Sequence, residues 1–186
     1  MHRQLILMRH AKSDWSQPGL HDKERPLNAR GKDAAPRMAH WLREWLHAED
    51  RRVARILSST SVRTRETLER MREAWGLSND LPSDFPGDGS VEWVDALYLA
   101  EPRVIWDAIR SAFHSHADEE SLLVLGHNPG MEILMSALAG SDLDVPTAAI
   151  AIFESRHEGE IGDLVPEIES GNWRLLAFQT PRSLSP

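Results

Sequence analysis

An α/β domain, built on a mostly parallel sheet covered by helices on both faces, is what this sequence predicts. Two observations predict it. Short apolar runs alternate with longer amphipathic stretches along the chain, the pattern of strands joined by crossover helices. Two of those runs, Leu5-Ile6-Leu7-Met8 and Leu122-Leu123-Val124-Leu125, stop abruptly at polar residues that include a histidine. In an open α/β sheet the carboxyl ends of strands are where ligands sit.

The elements follow in order. Residues 4–8 read as a first strand. Residues 12–28 carry Pro18, Gly19 and Pro26 and read as a loop over the active end of the sheet. Asn28 precedes an amphipathic stretch from Ala29 to Ala48, in which Trp41, Leu42, Trp45 and Leu46 recur at helical spacing. Val53 to Leu57 is a second short strand. Ser58 to Ser61 then offers several helix caps before a helix over Val62–Trp75. Leu81 to Ser90, rich in Pro, Gly and Asp, reads as an exposed connection, and Val91 to Val94 as a short strand. Pro102 opens a helix carrying Val104, Ile105, Ala108, Ile109 and Phe113. Leu122 to Leu125 is a strand, and Pro129 falls in the first turn of a helix reaching Leu138. Ala148–Phe153 and Trp173–Phe178 are two closing strands with an acidic loop between them.

With 186 residues and no linker between composition regimes, the chain reads as one domain over residues 1–179 with a C-terminal tail over 180–186. It contains no cysteine, which excludes disulfides and thiolate metal sites and suits a reducing cytoplasm, the expected location. No apolar segment is long enough to span a bilayer and no signal-peptide core opens the chain, so no membrane partner is expected. The formal charge of −8 argues against non-specific nucleic-acid binding, yet a few arginines can still set a local potential for an anionic substrate. The seven tryptophans are expected to fill the core or groove walls.

Four residues carry the chemistry: Arg9, His10, Arg63 and His127. His10 and His127 each follow an apolar strand, so both can converge at one sheet edge. Arg63 follows the second strand, near a helix start whose free N–H groups favour anions. Two guanidinium groups can clamp a phosphoryl group and stabilise its transition state, while an unprotonated imidazole attacks phosphorus in line. The second imidazole would hold the equatorial oxygens, and water would release the phosphate.

This arrangement resembles the histidine phosphatase, or phosphoglycerate mutase-like, superfamily. Met8-Arg9-His10-Ala11 matches its opening signature, Ser61-Val62-Arg63-Thr64-Arg65-Glu66-Thr67 is similar to its second arginine segment, and Gly126-His127-Asn128-Pro129-Gly130 to its second-histidine segment. The closer resemblance is to SixA-type phosphohistidine phosphatases, through Met8 to Trp15, Glu24-Arg25-Pro26-Leu27-Asn28-Ala29-Arg30-Gly31, Gly126 to Gly130, and Pro146-Thr147-Ala148-Ala149. It covers nearly the whole chain. It implies a three-layer αβα sandwich, a nucleophilic His10, and a metal-independent phosphatase that needs no cofactor.

One departure concerns the general acid. Asn128 follows His127 where acid-phosphatase-like members have an aspartate, and Glu92, Asp95 and Glu101 match no family acid. Glu132, one turn into the following helix, is the candidate proton donor; a carboxylate simply favoured near a helix N-terminus is the alternative. An alkoxide needs protonation as it leaves, whereas the imidazole of a phosphohistidine can depart already protonated. The missing acid therefore tilts the reading from P–O toward P–N substrates.

Further substrate contacts are expected from Lys12 and Ser13, which line the mouth or are simply exposed, from Arg25, which reaches a phosphate or a substrate carboxylate or else forms a structural ion pair, and from Asn128, which caps the next helix and touches phosphate. Arg65 and Arg70 read as solvated or paired with Glu66 and Glu69. His114 and His116 form a His-x-His pair, read as surface rather than metal ligands. The partner is then a phosphorylated protein, such as a phosphorelay domain, or a small phosphorylated substrate; a lidless chain argues against a mutase, and an intact nucleophile against a mere phosphate-binding module.

Overall fold

A computed structural model describes residues 2–76, 91–115, 121–156 and 172–184. Its elements are β1 (Gln4–Arg9), α1 (Ala29–Ala48), β2 (Arg55–Ser58), α2 (Val62–Ala74), β3 (Val91–Trp93), α3 (Pro102–Ser115), β4 (Ser121–Gly126), α4 (Gly130–Ala139), β5 (Ile150–Ser155) and β6 (Trp173–Gln179). Among the described residues, six strands form one sheet in the order β3-β2-β4-β1-β5-β6. The first four are mutually parallel, and β5 and β6 close the sheet antiparallel.

The two-residue strand period sets the layers. Ile6, Met8, Leu123, Leu125, Ile150 and Ile152 point to one face and pack on Met38, Leu42 and Leu46 of α1 and on Leu68 and Met71 of α2. Leu5, Leu7, Leu122, Val124 and Ala151 point to the other face and pack on Ile105, Trp106 and Ile109 of α3 and on Met131, Leu134 and Met135 of α4. The result is the expected αβα sandwich, and burying β1 and β4 on both faces is why they read as unbroken apolar runs. Asn28 caps α1 by accepting from the Gly31 N–H at 2.9 Å, and Ser61 caps α2 by accepting from Thr64 N–H. Gly130 opens α4 because a Cβ there would run into the Ala100 carbonyl.

Several expectations shift. The segment before β5 turns past the expected strand start: Ala148 stands at φ 65°, so β5 begins at Ile150. Its N–H reaches the carbonyls of both Arg9 and His10, at 3.1 and 3.0 Å, and so pins the end of β1. Pro129 is the α4 cap residue rather than part of its first turn. The loop over the site holds a 3₁₀ turn at Asp22–Glu24 and a two-residue bridge between Ser13 and Leu27. Not every tryptophan is interior: Trp15 is 65 % exposed, stacked under the Arg25 guanidinium. At the C-terminus Thr180 and Ser183 bond one another and Leu184 packs on the α1–α2 layer, so this stretch is folded onto the domain. The connection 81–90 and most of the acidic loop before β6 lie outside the described residues.

Candidate active site

Strand register brings the two histidines together. Arg9 is paired with Gly126 across β1 and β4, and the next residue on each strand is a histidine. The His10 N–H donates to the Gly126 carbonyl at 3.1 Å, and the imidazole centroids lie 4.9 Å apart. Both rings are buried.

Hydrogen bonds set the tautomers. His10 Nδ1 lies 2.7 Å from the Ala11 carbonyl, an acceptor, so Nδ1 carries the proton. Its Nε2 then has a free lone pair, which accepts from Arg63 Nε at 3.3 Å. His127 is arranged the opposite way. A guanidinium only donates, so the Nδ1 of His127 accepts from Arg63 Nη2 at 3.2 Å, and its Nε2–H donates to Ser59 Oγ at 2.8 Å. Burial holds the pKa of His10 well below the ordinary imidazole value, and the cations Arg63 and Arg9 lower it further. Burial lowers His127 in the same way, with the neighbouring His10 and Arg63 adding to it. Both imidazoles are neutral at pH 7.

Arg63 is the hub. It is 3 % exposed in the first turn of α2, where it bridges the two rings. Asp22 clasps its outer side: the carbonyl accepts from Nη1 at 2.6 Å and the carboxylate from Nη2 at 3.0 Å. The Tyr98 hydroxyl donates to the same carboxylate at 2.6 Å, while the Tyr98 ring stands edge-on to His127 at 5.5 Å. Burial pushes the Asp22 carboxyl up, but Tyr98 and Arg63 outweigh it and hold the group below the usual carboxylate range. Thr67 locks α2 to the nucleophile turn by accepting from Ala11 N–H and donating to the Arg63 carbonyl. On the other flank, Arg9 Nη1 donates to the Val145 carbonyl at 2.7 Å and its buried Nε has no partner among the described residues.

Thus Arg9, His10, Arg63 and His127 converge as expected, and the outer residues divide. Lys12 is exposed and borders a groove beside Arg9. Ser13 is buried at 6 % exposure, because its backbone pairs with Leu27, so it does not line the mouth. Arg25 is engaged by Asp22 at 3.5 Å and by the Trp15 ring, the structural ion pair of the two readings. Asn128 is no helix cap; its Nδ2 donates to Glu132 Oε2 at 2.9 Å and to the Val145 carbonyl at 3.1 Å. Glu132 Oε2 also accepts from Val145 N–H at 3.2 Å. Through Oε2 that carboxylate fastens the segment before β5, and among the described residues no hydrogen bond joins it to His10, Arg63 or His127. Arg65 stacks on Trp93 and Arg70 pairs with Glu73, not with Glu66 or Glu69. His116 lies outside the described residues, among which no group of three candidate ligands could hold a metal.

Three residues went unread: Ser59, Asp22 and Tyr98. The strand-end rule that found the histidines would have found Ser59, since Ser58 ends β2 opposite Leu125 and Ser59 N–H bonds the Leu125 carbonyl. Asp22 lies in the loop already placed over the site. Nothing local marked Tyr98.

The chain matches the family profile described as the histidine phosphatase superfamily (branch 1) over residues 5–85. It is 31 % identical over 188 residues to an uncharacterized chloroplastic protein of Arabidopsis thaliana, covering 97 % of this chain and 79 % of that one. It is also 31 % identical over 186 residues to an uncharacterized protein of Mycobacterium tuberculosis, covering 94 % of this chain and all of that one. Among solved structures, it matches one described as SixA of Agrobacterium tumefaciens, a proposed phosphohistidine phosphatase, with TM-score 0.70, 27 % identity and coverage of 96 % and 98 % of the two chains. The protein histidine phosphatase SixA complexed with tungstate matches in fold, with TM-score 0.69, 23 % identity and coverage of 98 % and 99 %.

Proposed function

Because the chain belongs to the histidine phosphatase superfamily, we propose that this phosphatase hydrolyses phosphohistidine on a protein through a covalent phosphohistidine at His10. The phosphoryl group sits between the two imidazoles, clamped by Arg9 and Arg63. His10 Nε2, unprotonated and held only by the Arg63 Nε–H, attacks phosphorus once that hydrogen bond turns to the phosphoryl oxygens, as the P–N bond to the substrate imidazole breaks. Arg9 and Arg63 stabilise the charge on the equatorial oxygens. His127, neutral with a bare Nδ1 before substrate binds, takes up a proton from solvent at Nδ1 when the phosphoryl charge arrives, and as an imidazolium donates to one of those oxygens. Water then attacks the phosphorylated His10, releasing inorganic phosphate and restoring the imidazole.

One observation carries the P–N preference. Among the described residues, the carboxylates bonded to site residues are Asp22, which accepts from Arg63 and Tyr98, and Glu132, whose Oε2 accepts from Asn128 and Val145 without touching either imidazole. Neither is arranged to protonate an alkoxide, which a P–O substrate would need. A phosphohistidine substrate supplies a leaving group that can depart protonated. The SixA resemblance in sequence and fold supports the same reading. The test is parallel incubation with a phosphohistidine-carrying protein and with p-nitrophenyl phosphate. Faster turnover of the former by kcat/KM is expected; turnover of the latter alone would make the protein a small-molecule phosphomonoesterase.

A further inference from the structure

A groove of about 800 Å³ opens beside Arg9, between the N-terminal half of α1 and the folded segment after β6. Five cations, Arg9, Lys12, Arg30, Arg37 and Arg182, border it against one carboxylate, Asp33. The chain as a whole has the opposite balance, 21 Lys and Arg to 29 Asp and Glu. Asp33 lies 3.8 Å from Arg37 and offsets part of that one charge. Lys12, Arg30 and Arg182 have no ion-pair partner among the described residues. Arg9 belongs to both places: it borders the groove, its buried Nε is unsatisfied, and it acts electrostatically on both imidazoles.

Resting on the phosphohistidine-protein reading, we propose that this groove is an anion subsite that receives carboxylate side chains flanking the phosphohistidine of an acidic protein substrate. A guanidinium-rich groove selects carboxylates or phosphates over neutral surfaces. The surrounding net charge of −8 repels extended polyanions such as nucleic acid, and leaves room only for a local acidic patch. Exposed apolar side chains in the segments that carry Asp22 and Tyr98 favour a protein over a small polyanion. Trp15 and Leu99 stand 65 % and 49 % exposed in segments that carry site residues, suited to contact a protein surface. The C-terminal segment thereby becomes a wall of the substrate site, and Arg182 a specificity residue.

The test compares two phosphohistidine peptides of equal length, one flanked by Asp and Glu and the other by Ser and Gln. The intact protein is expected to prefer the acidic peptide by about tenfold in kcat/KM, a preference that shrinks at high ionic strength. In the Arg30→Gln/Arg37→Gln/Arg182→Gln variant that ratio falls to about one, whereas Arg43→Gln, which changes an exposed α1 arginine outside the groove, keeps it. Should the triple variant fail to fold, Arg182→Gln alone and the salt dependence of the intact protein give the same readout. Equal turnover of the two peptides, or a preference that survives the triple variant, overturns the subsite while leaving phosphohistidine hydrolysis standing. Turnover of p-nitrophenyl phosphate with neither peptide cleaved overturns both. A preference for a small bisphosphorylated compound over the acidic peptide assigns the groove to a second phosphate and overturns the protein assignment.

Discussion

His10 and His127 begin from the same local plan, a buried parallel strand that stops one residue short of a histidine, yet they present opposite nitrogens to the centre. The His10 ring gives its Nδ1 proton to the next carbonyl in the chain and leaves Nε2 bare. The His127 ring gives its Nε2 proton to Ser59, on the neighbouring strand end, and turns Nδ1 inward. Both inward lone pairs meet one guanidinium, which satisfies them without protonating either. Like sequence contexts thus yield unlike chemistry, because the role of an imidazole is set by whatever holds its far nitrogen.

That asymmetry can be broken most severely at the nucleophile. His10→Ala is expected to lower kcat by roughly 10⁴-fold or more while leaving the fold intact, since it removes the attacking atom. Circular dichroism beside the rate measurement checks both halves. His127→Gln removes only a transition-state contact and is expected to cost about 10²- to 10³-fold in kcat. If the two variants were equally impaired, the division of labour between the rings would be wrong.

A gentler change sharpens the comparison. Ser59→Ala deletes the acceptor that fixes the His127 tautomer, and a loss of about two- to tenfold in kcat is expected, the rate equivalent of one ordinary hydrogen bond. An unaltered rate would mean that Ser59 does not orient the ring.

Acid pH probes both rings at once. In the unfolded chain these imidazoles take up protons below about pH 6.5, whereas in the fold burial keeps them neutral. The unfolded state then binds more protons, so the stability present above pH 6.5 is lost as pH falls toward the depressed folded values. The slope is up to about 1.4 kcal/mol per pH unit for each ring. Denaturant titrations between pH 7 and pH 5 should show this loss, and His10→Ala should show a shallower one; a stability independent of pH over that window would contradict the burial of neutral rings. The smallest expected effect is none: turnover should persist in EDTA, because no step of the proposed reaction uses a metal.

Much of this was legible in the sequence, for definable reasons. Strands buried on both faces announce themselves as apolar runs, and a histidine two positions after such a run lies at the carboxyl end of the sheet, so the sequence alone could pair His10 with His127. Arg63 was readable from its place in the first turn after β2. What could not be read were contacts made across the fold. Asp22 and Tyr98 are 76 residues apart and meet only because both reach toward Arg63. Glu132 sits where a proton donor was expected, but the segment before β5 claims its oxygen through Val145 and Asn128. Ser13 follows the nucleophile in sequence yet is drawn inward by a backbone bridge to Leu27. At those two positions long-range hydrogen bonds, rather than proximity along the chain, set what the residue touches.

The most direct measurement is to trap the enzyme during turnover, quench it in alkali, and map the phosphoryl group by mass spectrometry. An acid-labile phosphoryl adduct is expected on His10, absent from His10→Ala and still formed in His127→Gln. An adduct on His127, or on any other side chain, would contradict attack by His10.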